Sequence, residues 1–382
     1  MPLNTQELMD RAREATGLSE FGDAPFQEGL ELFVRALNEE AGLTPAPLEG
    51  ARRMLIGALQ ERLRIEECLR RNPEILDQRI VAPLNLLGMS RSGTTALSQF
   101  LSEDPAMRSI RRWELATPTP PPDDAIGDAD PRIAATRAAF EERDRRIPQF
   151  RTMLPISAED PSEHNAPMAF TCLHSQWPTL YDIPSYEAWF LGKDITPGYE
   201  YLAKVLKILQ WKTPRERWNL KHPMDIFTLR AFMNVFPDAI LPWIHRDPVM
   251  SVGSTCSLVS IIRESSGQAL DKKAFGRRIL NFLHTGMMRG IRDREDLGLK
   301  VVDVYNQDLG RDPIGTISKL YDGLGLPFTA EYEQRLRDRM AQRPRGSHGK
   351  HSYTLEEFGL SVAEVRERFL PYTDRFKVPL EA

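Results

Sequence analysis

The residues with the clearest chemical pattern form a glycine-bounded stretch, Gly88-Met-Ser-Arg-Ser-Gly-Thr-Thr95. In a Walker A loop, G-x-x-x-x-G-K-[ST], backbone N–H groups cradle phosphate, the lysine reaches the β- and γ-phosphates, and the hydroxyl holds magnesium. Gly88, Gly93 and Thr95 fit this pattern, but Thr94 stands where the lysine should be. The stretch predicts an anion cradle at a helix N-terminus, and the missing lysine argues against ordinary nucleoside-triphosphate hydrolysis.

Arg91 lies inside this loop and offers a replacement cation. Its planar guanidinium suits a terminal oxyanion group, which is a first indication of a different leaving group. The alternative is a glycine-rich turn between a strand and a helix that binds nothing. The apolar residues before the loop and the helical pattern after it favour the anion site.

A second group of polar residues follows an apolar stretch further along the chain, in His245-Arg-Asp-Pro-Val-Met-Ser-Val-Gly-Ser254. Arg246 offers a fixed positive fork, and Ser254, eight residues later, offers a hydroxyl carried by the next helix. Together they suit a second phosphate on one nucleotide. Taken alone, the same pattern is also typical of an Arg-Asp pair that caps a helix.

The residues around these groups predict the elements that position them. Residues 80–87 are predicted to form a buried strand and residues 94–101 a helix. Further strands are predicted at 218–221, 239–244 and 299–305, with helical patterns such as 226–235 and 316–321. Strands that alternate with helices predict an α/β fold, in which helices cover both faces of a mainly parallel, P-loop-type sheet. Pro242 falls inside one predicted strand, which we expect to bulge or to lie at an edge.

The chain is predicted to have two parts. Residues 1–80 show helical spacing and are interpreted as a helical N-terminal extension, and residues 81–382 form the α/β domain. Within that domain, residues 115–215 are irregular in pattern and rich in proline and aromatic residues. The aromatic residues between positions 177 and 190 suit a flat or apolar ligand, although an aromatic run is more often core than pocket.

The composition narrows the class of protein. The chain has 382 residues, of which 41% are hydrophobic and 27% charged, and its net charge of -4 argues against a general nucleic-acid or membrane-surface binder. We find no signal-peptide core and no apolar stretch of membrane-spanning length, so we expect a cytoplasmic protein. The three cysteines and the other potential ligands show no metal-site spacing, so we expect no metal ion.

Three motifs together resemble one family. Arg91-Ser-Gly-Thr-Thr95 after an apolar strand resembles the 5′-phosphosulfate loop of sulfotransferases that use 3′-phosphoadenosine 5′-phosphosulfate (PAPS). The resemblance is to the bacterial branch that shares this arginine with the protein-tyrosine sulfotransferases. The spacing of Arg246 and Ser254 and the segment Trp218-Asn-Leu-Lys-His-Pro223 also resemble the family. The resemblance implies metal-free transfer of a sulfuryl group from PAPS to a hydroxyl of a small-molecule acceptor, with residues 115–215 as the acceptor-site insertion.

The resemblance also implies roles for individual residues. Lys221 is expected to contact the transferring sulfuryl group, and Arg246 with Ser254 the 3′-phosphate. The family often has a tyrosine that contacts adenine, but the matching position here is Asn306, and Tyr305 is shifted by one residue. The remaining donor-binding residues are expected to be Gly88, Arg91, Ser92, Gly93, Thr94 and Thr95 in the loop, with Arg345, Lys350 and His351 covering the 3′-phosphate.

The sequence offers more than one candidate for the base that takes the acceptor proton. Glu114 resembles in position the catalytic glutamate of protein-tyrosine sulfotransferases, although it lies two residues further from the loop arginine. His164 lies in the region expected to line the acceptor site, and a neutral imidazole has a suitable pKa near pH 7. We favour Glu114 on resemblance, with His164 second and Glu163 as a further possibility.

Two other functions remain open from the sequence. A P-loop nucleotide kinase or hydrolase with a displaced cation would turn over a nucleoside triphosphate with magnesium. A non-catalytic protein would bind the nucleotide without chemistry.

Overall fold

The structure, a computed structural model, describes residues 1–23, 25–153, 156–342 and 352–381. In the described part of the chain, five parallel strands form one sheet in the order β2-β3-β1-β4-β5. The strands are β1 Leu84–Gly88, β2 Met107–Arg108, β3 Arg217–Lys221, β4 Leu241–His245 and β5 Val301–Tyr305. The predicted α/β class with a parallel sheet is confirmed, and the four predicted strands correspond to β1, β3, β4 and β5.

Helices surround the sheet. In chain order they are α1 Thr5–Thr16, α2 Pro25–Glu39, α3 Pro45–Arg71, α4 Thr94–Leu101, α5 Arg112–Ala116, α6 Pro131–Arg146, α7 Phe150–Met153, α8 Asn165–Ala169, α9 Trp177–Leu180, α10 Pro184–Gly192, α11 Thr196–Gln210, α12 Leu229–Val235, α13 Pro248–Ser265, α14 Lys272–Asp296, α15 Asn306–Arg311, α16 Pro313–Leu324, α17 Ala330–Gln342, α18 Val362–Arg368 and α19 Leu370–Phe376. Short 3₁₀ turns lie at Pro73–Asp77, Gly127–Ala129, Pro223–Phe227 and Glu356–Phe358.

Both faces of the sheet are covered by hydrophobic packing. Because successive side chains of a strand point to opposite faces, Leu86 and Leu87 of β1 enter two different hydrophobic clusters. The larger cluster contains side chains of α1, α2, α3 and the 115–215 region, and the smaller one contains side chains of α4, α16 and α17. The helical N-terminal residues therefore pack on the same core as the sheet.

Two local expectations differ from the structure. Residues 115–215 contain several helices rather than being irregular, and four of their prolines lie at the first turns of α6, α9, α10 and α11, where a missing N–H costs no bond. Strand β4 pairs with both β1 and β5, so Pro242 does not lie in an edge strand. Its paired residues on the β1 side are Trp243 and Ile244, so Pro242 lies outside that ladder.

Candidate functional site

The predicted anion loop connects β1 directly to α4. Gly93 has a φ of +103°, and a Cβ there would collide with the side-chain amide of Asn306. A Cβ on Gly88 would lie 2.8 Å from the carbonyl oxygen of Ile244 on the neighbouring strand. Glycine is therefore required at Gly88 by the close approach of the neighbouring backbone and at Gly93 by the positive φ.

Arg91 has a left-handed backbone conformation, with a φ of +66°. This conformation costs a non-glycine residue about 1–2 kcal/mol, and such strain is concentrated at functional sites. Helix α4 begins after Gly93 without a side-chain cap. The N–H groups of its first turn have no intrahelical acceptor by geometry, so they suit an anion. Ser92 and Thr94 are buried at this turn.

Arg91 and Arg246 meet at the loop. The Nη1 of Arg246 donates to the carbonyl oxygen of Arg91 at 3.1 Å, and the Nε of Arg91 donates to Ser254 Oγ at 3.0 Å. Burial and the nearby charge of Arg246 lower the pKa of Arg91. Two like charges held this close favour a bound anion between or beside them.

The rest of the Arg246 fork is engaged by the C-terminal segment. Its Nε and Nη2 donate to the two carboxylate oxygens of Glu381 at 2.8 and 3.1 Å. The N–H of Glu381 in turn donates to Asp247 Oδ2 at 2.8 Å. The guanidinium of Arg246, which we expect to bind a phosphate, is thus paired with the carboxylate of Glu381.

Lys221 ends β3, next to β1, and its side chain is fully buried. Its ammonium donates to Glu163 Oε1 at 2.9 Å and to Thr95 Oγ1 at 3.3 Å. Burial lowers the pKa of Lys221, and the charges of Arg112 and Arg91 act in the same direction, against the attraction of Glu163. The predicted sulfuryl contact is therefore a buried cation at the first turn of α4.

Glu163 is the carboxylate beside this cation. Besides Lys221, the Nδ1 of His222 lies 3.5 Å from Glu163 Oε2, and the Nε2 of His222 is 2.9 Å from Ser175 Oγ. Burial by itself would raise the pKa of Glu163, but Lys221 and His222 outweigh burial and hold it well below its usual range. Glu163 is therefore an ionised carboxylate within reach of the loop.

Glu114, the favoured base, lies in a different environment. Its carboxylate is buried and accepts two bonds from the guanidinium of Arg108, at 2.5 and 3.0 Å, and one from the N–H of Arg111 at 2.7 Å. It borders a second, strongly polar cavity of about 540 Å³. In this structure the loop cavity is bordered by Glu163 instead.

His164 points into the protein core. Its Nε2 lies 2.9 Å from Asp225 Oδ2, and both side chains are buried. Asp225 also accepts bonds from Asn85 at 2.8 Å and from the hydroxyl of Tyr199 at 2.7 Å. Adjacent residues thus face opposite ways, with Glu163 toward the loop and His164 toward the core.

One cation at the cavity was not predicted from the sequence. Arg112 borders the loop cavity, burial lowers its pKa, and its Nε has no hydrogen-bond partner among the described residues. No spacing rule identifies it, because it precedes Glu114 in a short helix whose orientation depends on packing. The predicted cover residues Arg345, Lys350 and His351 lie outside the described residues.

The loop opens into a cavity of about 530 Å³. Arg91, Thr95 and Glu163 border it, and residues of α13 form another part of its wall. Among the described residues, no group of three or more His, Cys, Asp or Glu side chains could hold a metal ion. Over the same residues, we find no helix with the length and apolarity needed to cross a membrane.

Comparisons with known proteins point to one family. The model of the sulfotransferase family (Sulfotransfer_3) matches residues 83–330. The fold superimposes on sulfotransferase STF9 from Mycobacterium avium with a TM-score of 0.89 and 31% identity, covering 99% of this chain and 97% of that one. It also superimposes on sulfotransferase STF1 from Mycobacterium tuberculosis H37Rv, with a TM-score of 0.87, 28% identity and coverage of 97% and 99%. No curated protein matches the sequence.

Proposed function

The chain belongs to the sulfotransferase family, and from this premise we propose that it transfers a sulfuryl group from PAPS to a hydroxyl of a small-molecule acceptor without a metal ion. The observation that carries the proposal is the convergence of Arg91, Arg246 and Lys221 on the uncapped start of α4. Three cations and a row of N–H groups suit a donor that carries two separate anionic groups.

The donor would lie along the loop. The 5′-phosphosulfate would take the N–H groups of Gly93, Thr94 and Thr95 and the fork of Arg91, while Lys221 would contact a sulfuryl oxygen. The 3′-phosphate would take Arg246 and Ser254. In this arrangement the side-chain cations neutralise the charge that collects on the sulfuryl oxygens and on the leaving phosphate, which is the part that a metal ion often plays in phosphoryl transfer.

Glu163 is the base that this geometry supports best. It borders the loop cavity and lies 2.9 Å from Lys221, so an acceptor hydroxyl beside the sulfuryl group would lie near its carboxylate. When Lys221 turns to the sulfuryl oxygens, Glu163 loses its closest cation and becomes a stronger base. Glu114 would first have to leave Arg108, and His164 would have to leave Asp225.

The donor is tested by calorimetry. Adenosine 3′,5′-bisphosphate is expected to bind more tightly than ATP with magnesium, because ATP has no 3′-phosphate for Arg246. Arg246→Ala should remove most of this preference. Tighter binding of ATP and magnesium-dependent hydrolysis would instead support a P-loop nucleotide kinase or hydrolase.

The base is tested by three substitutions to glutamine, of which the two at glutamate preserve shape. Glu163→Gln is expected to lower kcat for sulfate transfer by about 10²–10⁴-fold and to leave bisphosphate affinity unchanged. Glu114→Gln and His164→Gln serve as the comparison, and their melting temperatures show any loss of folding. Full activity of Glu163→Gln together with loss in Glu114→Gln would return the role to Glu114.

A further inference from the structure

The loop cavity has a second part whose wall differs from the donor site. Leu258, Val259 and Ile262 line it, four to eight residues beyond Ser254 on α13. At 1.5 Å per residue they lie about 6–12 Å further along the helix, beyond the groups assigned to the donor. The remaining apolar lining comes from other elements and includes Leu115, Leu180 and Met224.

This wall is aliphatic. Among the described residues that line the cavity, none is aromatic. The aromatic residues expected near the acceptor lie elsewhere: the ring of Trp177 stacks on Phe33 of α2 at 3.7 Å, and Tyr186 packs edge-on against the same ring at 5.4 Å. The described lining of the cavity therefore has no aromatic ring that could stack on a phenol.

Two polar side chains of the lining form a chain of hydrogen bonds that ends at Glu163. Asn165 Nδ2 donates to Gln176 Oε1 at 2.7 Å, and Gln176 Nε2 donates to Glu163 Oε2 at 3.1 Å. A sugar would need partners for hydroxyls spread over its whole surface, and burying them against an aliphatic wall without partners is costly. A ligand with one hydroxyl group and a hydrocarbon body would match both the polar side chains beside Glu163 and the aliphatic wall.

We propose that the acceptor is an aliphatic alcohol, with its hydroxyl at Glu163 and its hydrocarbon body against Leu258, Val259 and Ile262. This inference rests on the proposed sulfuryl transfer. The alcohol oxygen forms a bond to sulfur, and the bond between sulfur and the bridging phosphate oxygen breaks. The electron pair of that bond leaves with adenosine 3′,5′-bisphosphate, and the hydroxyl proton passes to the Glu163 carboxylate. The products are an alkyl sulfate and the bisphosphate.

The first test compares acceptors. Transfer of labelled sulfate from PAPS is measured with linear primary alcohols from butanol to dodecanol, with phenol and with glucose. We expect kcat/KM to rise about three- to fourfold per methylene, as each methylene leaves water, until the cavity is full. Phenol and glucose should be poorer acceptors than octanol. A better rate with phenol or glucose would overturn the aliphatic acceptor while leaving sulfuryl transfer intact.

The second test introduces a hydroxyl group into the aliphatic wall by substitution of Ile262. Ile262→Thr keeps a β-branched side chain and should lower kcat/KM for the longest alcohols about tenfold, with bisphosphate affinity unchanged. Ile261→Thr is the matched control, since this neighbour lies on the same helix outside the lining, and it should retain full kcat/KM. Equal losses in both variants would contradict the assignment of the wall.

A binding measurement separates the two proposals. If the bisphosphate does not bind, the donor assignment fails. If the bisphosphate binds but decanol is neither sulfated nor bound by the bisphosphate-loaded protein, the acceptor assignment fails on its own. Binding of decanol that is weakened by Ile262→Thr, and not by Ile261→Thr, supports it.

Discussion

Lys221, which is buried, and Glu163, whose side chain is 22% exposed, form an ion pair at the point where the donor and the acceptor would meet. Desolvation of such a pair offsets much of the Coulomb attraction, so the pair is weak evidence of a stabilising role. A site that must receive an anion benefits from a cation whose present partner can be exchanged. The pair is therefore better explained by function than by stability.

Replacement of Lys221 should separate binding from transfer. Lys221→Met is expected to lower kcat about 10²–10³-fold, because it removes a charge that acts on the sulfuryl oxygens as negative charge develops there. The bisphosphate has no sulfuryl group, so its Kd in calorimetry should change little. Lys221→Arg is the control that keeps the charge. A parallel loss of bisphosphate affinity in Lys221→Met would show that Lys221 holds the nucleotide instead.

Glu163 should make folding stability depend on acid pH. Its pKa is lower in the folded state than in the unfolded chain, where it is about 4.3, so the carboxylate form stabilises the fold above that pH. This contribution is lost as the pH falls through the folded-state pKa. Urea unfolding should therefore show a larger difference between the protein and Glu163→Gln at pH 6 than at pH 3. A difference independent of pH would contradict the lowered pKa.

At the scale of elements, the end of the chain after α19 reaches the strand-end arginine of β4. The carboxylate of Glu381 accepts two bonds from the Arg246 fork, and both side chains are partly exposed. A 3′-phosphate that uses this fork must displace that carboxylate, so the C-terminal segment would compete with the proposed donor.

Removal of the Glu381 carboxylate should tighten binding of the donor nucleotide. An ion pair of this exposure contributes about 0.2–1 kcal/mol, so Glu381→Gln is expected to lower the bisphosphate Kd by up to about fivefold in calorimetry. Glu295→Gln is the matched control, because Glu295 pairs with Arg375 at 2.5 Å in another part of the chain. Weaker binding in Glu381→Gln would mean that Glu381 holds Arg246 in place rather than competing with the phosphate.

At the scale of the whole molecule, the N-terminal helices and the 115–215 region share one core with the sheet. Phe33 of α2 is fully buried and contacts Trp177, Tyr181 and Tyr186. The aromatic residues between positions 177 and 190 therefore pack against the helical N-terminal extension. The boundary between a part at 1–80 and a part at 81–382 stays a prediction.

Truncation of Phe33 should therefore destabilise the whole protein. Phe33→Ala is expected to lower the free energy of unfolding by about 3–5 kcal/mol, since it removes a buried ring and leaves a cavity. Val81→Ala is the control, because Val81 is exposed and its truncation should cost less than about 0.5 kcal/mol. Urea unfolding that shows separate transitions for the extension and the rest, with only the first shifted, would contradict a shared core.

What could be derived from the sequence alone was local. The strand, loop and helix of residues 84–101 follow from apolar runs and glycine positions, because their determinants lie within a few residues of one another. The parallel sheet follows from the alternation of strands and helices. Because β1 lies between β3 and β4, the carboxyl ends of these strands bring Lys221 and Arg246 to opposite sides of the loop.

The tertiary structure decided which way side chains outside regular elements point. Glu163 and His164 are neighbours in sequence, yet one borders the loop cavity and the other bonds to Asp225 in the core. Likewise, Glu381 bonds to Arg246, which lies 135 residues earlier in the sequence. The ion pairs named here join residues that lie 58 or more positions apart in the sequence, and no local pattern encodes such contacts. The family and the strand–loop–helix unit of residues 84–101 were therefore predictable, whereas the surroundings of the candidate bases and the shape of the cavity required the fold.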